Sequence, residues 1–68
     1  MVYKFGKILR ELREEKGLLQ AELGKILNVV NSTISSWERS NSEPNIEQLR
    51  IIAKYFGVTG CFLLGLGE

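Results

Sequence analysis

Histidine is absent from this 68-residue chain, and cysteine and proline occur once each. With one thiol and no imidazole, the chain has too few N and S ligands for a zinc site, and an internal disulfide is impossible. A serine–histidine triad is excluded too, although Ser32, Ser35, Ser36 and Ser40 stand close together. No apolar run approaches the ~20 residues that span a bilayer. Met1 to Gly6 has no apolar core long enough for a secretory leader. An excess of one charge is missing as well. Nine Lys plus Arg face eight Asp plus Glu, for a net charge of +1 and a pI near 7.9. That balance lacks the basic excess usual for nucleic-acid binding. The carboxylates are scattered rather than paired. Gly65-Leu66-Gly67 follows no strand and lacks the further glycines of a phosphate loop. The sequence therefore calls for no catalytic residue, no cofactor and no metal, and Cys61 reads as an incidental residue at a helix start. One unpaired thiol and no leader fit a cytoplasmic protein.

What remains is a helical pattern. Phe5, Ile8, Leu9 and Leu12 recur at i, i+3, i+4 and i+7, which predicts a helix over 3–16 with one buried stripe. Lys7 with Glu11 and Arg10 with Glu14 are spaced for weak surface pairs, and Gly17 reads as a left-handed cap. Leu23, Ile26 and Leu27 define one face of a second helix, 20–27. Asn28-Val29-Val30 then interrupts, because Asn tolerates left-handed backbone and two β-branched residues follow. A third helix, 31–39, is polar except at Ile34 and Trp37, which share one side. Trp37 is expected in the core rather than stacked on a base. Asn31, Ser32, Ser35 and Ser36 face the other way, as suits insertion into a groove.

Ser40 to Asn45 is rich in turn formers, and Asn45 is placed to cap a fourth helix, 46–56. Ile46, Leu49, Ile52, Ala53 and Phe56 make its expected core face, with Arg50 and Lys54 outward and Gly57 as terminator. Thr59 can cap a short fifth helix, 60–65, carrying Phe62, Leu63, Leu64 and Leu66 nearby. The expectation is one all-α domain over 1–68, a five-helix bundle without strands. A chain of this size buries only about 60% of its unfolded surface, so its stability is marginal.

Leu18, Gln20, Leu23, Val29, Ile34, Trp37 and Glu38 match the helix-turn-helix pattern of the phage repressor and Cro family, which this chain resembles. The likeness continues in FGKILRELREEKG before the motif and in EPNIEQLRIIAKYFGV and FLLG after it. It implies a lambda-repressor-like fold and a sequence-specific, double-stranded-DNA-binding transcriptional regulator, read as a repressor. The second helix of the motif would enter the major groove while the first crosses above it. Asn31, Ser32 and Ser36 would then face base edges, with Asn31 suited to adenine. Gln20, Thr33, Ser35, Arg39, Asn41 and Ser42 would meet the DNA backbone, and the Gln20 side chain could brace Asn31. Thr33 and Ser35 could also touch a thymine methyl. The resemblance also implies a partly buried pair between Arg13 and Glu38 that sets the angle between helices one and three.

One recognition helix covers few base pairs, so a homodimer on a pseudo-palindromic operator is expected, with half-sites about 34 Å apart. Phe62, Leu64 and Leu66 offer the best dimer surface, whether or not DNA is needed to form it. No membrane and no small-molecule ligand are implied. The alternative is a protein–protein module that keeps the fold without reading DNA.

Four positions depart from the family. Leu19 and Val30 stand where Ser or Thr usually caps each helix of the motif, Ser40 replaces a Gly, and Cys61 replaces an acidic or small polar residue. Glu43 sits where phosphate clamps often lie. At Val30 three outcomes are open. The helix starts there uncapped, or it starts later with Asn31 turned inward as cap, or Leu19 and Val30 pack on neighbouring helices.

Overall fold

The computed structural model describes residues 4–66; residues 3 and 67, in the expected first helix and glycine-rich end, lie outside that range. Five helices follow in order: α1 Phe5–Glu15, α2 Gln20–Leu27, α3 Asn31–Glu38, α4 Ile46–Phe56 and α5 Gly60–Leu63. There is no strand among the described residues. Phe5 and Leu9 of α1 are fully buried, and Ile8 and Leu12 flank them half-buried. They meet Leu23 and Leu27 of α2, Ile34 and Trp37 of α3, Ile52 of α4 and Leu63 of α5 in one core. The Phe5 and Trp37 rings pack edge to face at 6.1 Å, a geometry that places a positive ring edge on a negative face.

Each helix stops on a residue with left-handed backbone. Gly17, Gly57 and Gly65 take that conformation without strain, while Asn28 at φ 60° and Ser40 at φ 62° take it with a side chain present. After α1 the Gly17 N–H donates to Glu14 O at 3.0 Å and the Leu18 N–H to Arg13 O at 3.1 Å, which closes the last turn. The same pair of bonds ends α3, from Ser40 to Trp37 O and from Asn41 to Ser36 O.

Helix starts are less uniform. Asn45 Oδ1 accepts from the Gln48 N–H at 2.7 Å while Gln48 Oε1 accepts from the Asn45 N–H at 2.9 Å, a complete reciprocal cap for α4. Thr59 Oγ1 accepts from the Phe62 N–H and starts α5. At α2 only half of such a cap exists. Glu22 takes the Leu19 N–H at 2.7 Å, but the Leu19 side chain has nothing to offer in return. At α3 the Val30 side chain caps nothing.

Several expectations are corrected. Ile26, expected to share one face with Leu23 and Leu27, and Ile46, expected on the core face of α4, are both exposed, Ile46 at 74%. On α2 the i, i+4 pair Leu23 and Leu27 faces inward, so Ile26 is rotated to the rim; Ile46 sits in the first turn of α4, which overhangs the core. Helix α1 ends at Glu15 rather than 16, α3 at Glu38 rather than 39 and α5 at Leu63 rather than 65. For α3 and α5 the left-handed Ser40 and Gly65 turn the chain away. Arg10 pairs with Glu14 at 3.2 Å, whereas Lys7 and Glu11 do not pair with each other.

Candidate nucleic-acid interface

The motif is held by two close approaches and one polar network. Gly6 is buried where α1 crosses α3, and a side chain there would press into the Trp37 and Glu38 carbonyls, the latter 2.9 Å from an added Cβ. Gly24 lies under the corner between α2 and α3, where an added Cβ would sit 2.8 Å from Val29 O. Neither was singled out from sequence, where a glycine inside a helix reads only as a weak point.

The network centres on Glu38. Arg13 Nε donates to Glu38 Oε2 at 2.7 Å and its NH2 to Glu38 Oε1 at 3.2 Å, a two-pronged pair that is largely buried. Arg13 NH1 donates to Leu18 O at 2.7 Å. The hydrogen bond that Arg13 donates to Glu38 raises the Arg13 pKa despite the opposing effect of burial. Gln20 Nε2 donates to Glu38 Oε1 at 3.0 Å. This corrects the expected role of that side chain. Gln20 braces Glu38 at the far end of α3, not Asn31 at its start, because the second carboxylate oxygen has room for one more donor.

Above this scaffold lies a shallow depression lined by Gln20 of α2, by Asn31, Ser32, Ser35 and Ser36 of α3, and by Arg39 and Asn41 after it. Most of the residues expected to face DNA are thus brought together. Asn31 and Ser32 are exposed, and Asn31 is the first residue of α3 rather than an inward-turned cap. Ser36 shares a hydrogen bond of 2.8 Å with Ser42, which ties the following loop to the helix. Ser35 Oγ accepts from Arg39 NH2 at 2.9 Å. Thr33 is half-buried and outside the lining, and Ser42 reaches it only through Ser36. The Ser35–Arg39 bond follows from i, i+4 spacing, but Ser36–Ser42 depends on the loop path and leaves no sequence signal. Among the described residues Arg39 is the one cation in the lining, and the other lining side chains are neutral donors and acceptors.

A polar helix face on a buried Ile34–Trp37 edge, with α2 packed across it, is the arrangement that the helix-turn-helix family profile matches over residues 9–63. The chain belongs to the Cro/C1-type helix-turn-helix family. It is 41% identical over 56 residues to the HTH-type transcriptional activator BcrR of Enterococcus faecalis, covering 82% of this chain and 28% of that protein. It is also 41% identical over 59 residues to the repressor protein C2 of Salmonella phage P22, covering 87% of this chain and 27% of that one. The chain thus spans less than a third of either relative. The P22 c2 repressor crystallised with a synthetic operator superposes with a TM-score of 0.85 at 39% identity, over 94% of this chain and 96% of that one. Of the four residues expected to depart from the family pattern, Ser40 has left-handed backbone and Leu19, Val30 and Cys61 are exposed. No helix among the described residues is long and apolar enough to cross a membrane.

Proposed function

We propose that this domain is the operator-reading part of a transcriptional repressor. It binds a pseudo-palindromic duplex as a homodimer in the cytoplasm and catalyses nothing. The observation that carries the reading is the outward face of α3. Asn31 and Ser32 are free to meet base edges while Ile34 and Trp37 anchor the opposite side. Asn31 offers an adenine its paired donor and acceptor, and Ser32 and Ser36 add weaker discrimination. The Gln20 backbone N–H, Arg39 and Asn41 are disposed for phosphates, with Ser35, Ser42 and Thr33 behind them. Exposed Phe62 and Leu66, beside half-buried Leu64, supply the apolar patch for the second copy. The P22 relative, which superposes on this chain, is in complex with a synthetic operator, and that supports duplex DNA as the partner.

Selection of a preferred duplex from a random pool tests the reading. One sequence should be enriched, as an inverted repeat, and sedimentation should find two chains on it. Failure to enrich any sequence would favour the protein–protein module instead. That alternative draws on the single cation in the depression and the net charge of +1. One chain per full operator would refute the dimer.

A further inference from the structure

We infer that the outer face of α4 is a docking groove for a helix of a partner protein, apolar on one side and carrying two carboxylates one turn apart. The groove, of about 580 Å³, is open to solvent and reaches Gly60, the first residue of α5. It shares no residue with the depression on α3. Half-buried Leu49 and Ala53 form its floor, and Ile46 and Ile51 stand beside them 74% and 45% exposed. Four apolar side chains on one groove exceed the scattered singles that any surface carries. Helix α4 is held at both ends, by the reciprocal Asn45–Gln48 cap and by left-handed Gly57. The groove is therefore formed before anything binds, which lowers the ordering cost of docking.

Charge says what covers it. Glu47, Arg50 and Lys54 line the same groove and all are exposed. Neither cation belongs to an ion pair among the described residues, where the pairs are Arg10–Glu14 and Arg13–Glu38. Four apart on one helix, Arg50 and Lys54 present charges at a fixed spacing, with Cβ atoms roughly 5–6 Å apart. Two carboxylates at the same spacing on a facing helix answer them. The occupant is a helix because an extended peptide needs a sheet edge to pair with, and there is no strand among the described residues. A helix satisfies its own backbone groups. Duplex phosphates would answer the two cations but leave both isoleucines against a charged backbone. A second copy docked by the same face would meet the same excess of positive charge, two cations to one carboxylate.

The inference is independent of the DNA-reading function. The probe is a fluorescein-labelled synthetic amphipathic helix with leucines on one face and two glutamates four apart; its twin carries lysines in place of the glutamates. Fluorescence anisotropy should show the wild-type chain binding the glutamate peptide about tenfold more tightly than the twin, the worth of two exposed ion pairs. Arg50→Glu/Lys54→Glu should invert that preference. Ile51→Asp should abolish binding of both peptides, and Phe62→Asp, outside the groove, should change neither. Ile46→Asp, at the more exposed isoleucine, repeats the measurement if Ile51→Asp loses its thermal transition. No binding of either peptide, equal affinity for the two, or binding that survives the isoleucine substitutions would overturn the inference. A dimer of the chain alone that Ile51→Asp dissociates would give the groove to a second copy instead. A lower salt dependence of duplex binding in Arg50→Glu/Lys54→Glu would give the cations to phosphates, and either result would also overturn it.

Discussion

Replacing Arg13 by Met is expected to destabilise the domain far more than replacing Arg13 and Glu38 together. Arg13→Met keeps the aliphatic stem but leaves a carboxylate side chain only 5% exposed with Gln20 as its remaining side-chain donor. Breaking one side of a buried pair costs ~3–5 kcal/mol, because the surviving charge is desolvated without its partner. At roughly 0.05–0.15 kcal/mol per residue, the 68 residues give a whole stability of about 3–10 kcal/mol. The single mutant should therefore lose from about a third to all of its stability. Arg13→Met/Glu38→Leu removes both charges, and water can reach the half-exposed Gln20 and Leu18. It should fall within ~1 kcal/mol of wild type. Urea unfolding followed by fluorescence of the only tryptophan, buried at 2% exposure, reads the cycle directly. With a slope near ~1 kcal/mol/M for so small a chain, the single-mutant midpoint should drop by about 3–5 M, or the domain should be unfolded without urea. A drop under ~1 kcal/mol in the single mutant would place the pair among ordinary solvent-screened pairs and refute the reasoning. No pH window is expected from Arg13. Its raised pKa means that stability is lost only as pH climbs through a value above the accessible range.

Trp37→Ala should cost ~3–5 kcal/mol and unfold the domain. A mutant that keeps a cooperative thermal transition and has lost only DNA binding would show that Trp37 is not core. Ser40→Gly relieves left-handed backbone at φ 62° and should add ~0.5–1 kcal/mol, or several degrees in melting temperature, whereas Asn28→Gly should add less because Asn tolerates that region. An unchanged midpoint for Ser40→Gly would show that the strain is relieved elsewhere. Leu19→Ser and Val30→Ser each supply a hydroxyl cap worth ~0.5–2 kcal/mol, and residues 67% and 65% exposed have little burial to lose. Both melting temperatures should rise; a fall in both would mean that these residues pack. Because Asn31 is already outward, Val30→Ser is not expected to improve base reading. Arg39→Ala should reduce the salt dependence of duplex binding by about one unit of slope, and an unchanged slope would remove Arg39 from the phosphate contacts.

Helix faces were legible wherever a short-range rule acts alone. Ile34 and Trp37, three apart, sit on one side of α3 and are both buried; Asn45 with Gln48 forms the cap that its spacing permits; and Gly17 and Gly57 end their helices as left-handed residues. Periodicity specifies a direction around the helix axis but not the depth of the core beneath it. For that reason Ile46 and Ile26, correctly phased or nearly so, nevertheless stand in solvent. Arg13–Glu38, 25 residues apart, came only through the family resemblance. Gln20's attachment to the same carboxylate could not be anticipated, because it depends on how α2 starts against the end of α3. Gly6 and Gly24 were illegible for a similar reason. Their meaning lies in a backbone from another element that passes within van der Waals distance of the missing Cβ.

These observations also indicate what holds the motif in place. Helices α2 and α3 have eight residues each, too short to persist alone in water. Each is preceded by an exposed apolar residue, Leu19 or Val30, whose side chain cannot cap it. Their order must come from tertiary contacts: Leu23, Leu27, Ile34 and Trp37 in the core, the two glycine crossings, and the Glu38 carboxylate that joins α1, α2 and α3. Capping is well made at α4 and α5, whose starts line no part of the depression. Stability is thus supplied from beneath and behind the polar face of α3, and its exposed residues, Asn31 and Ser32 among them, carry none of the core packing.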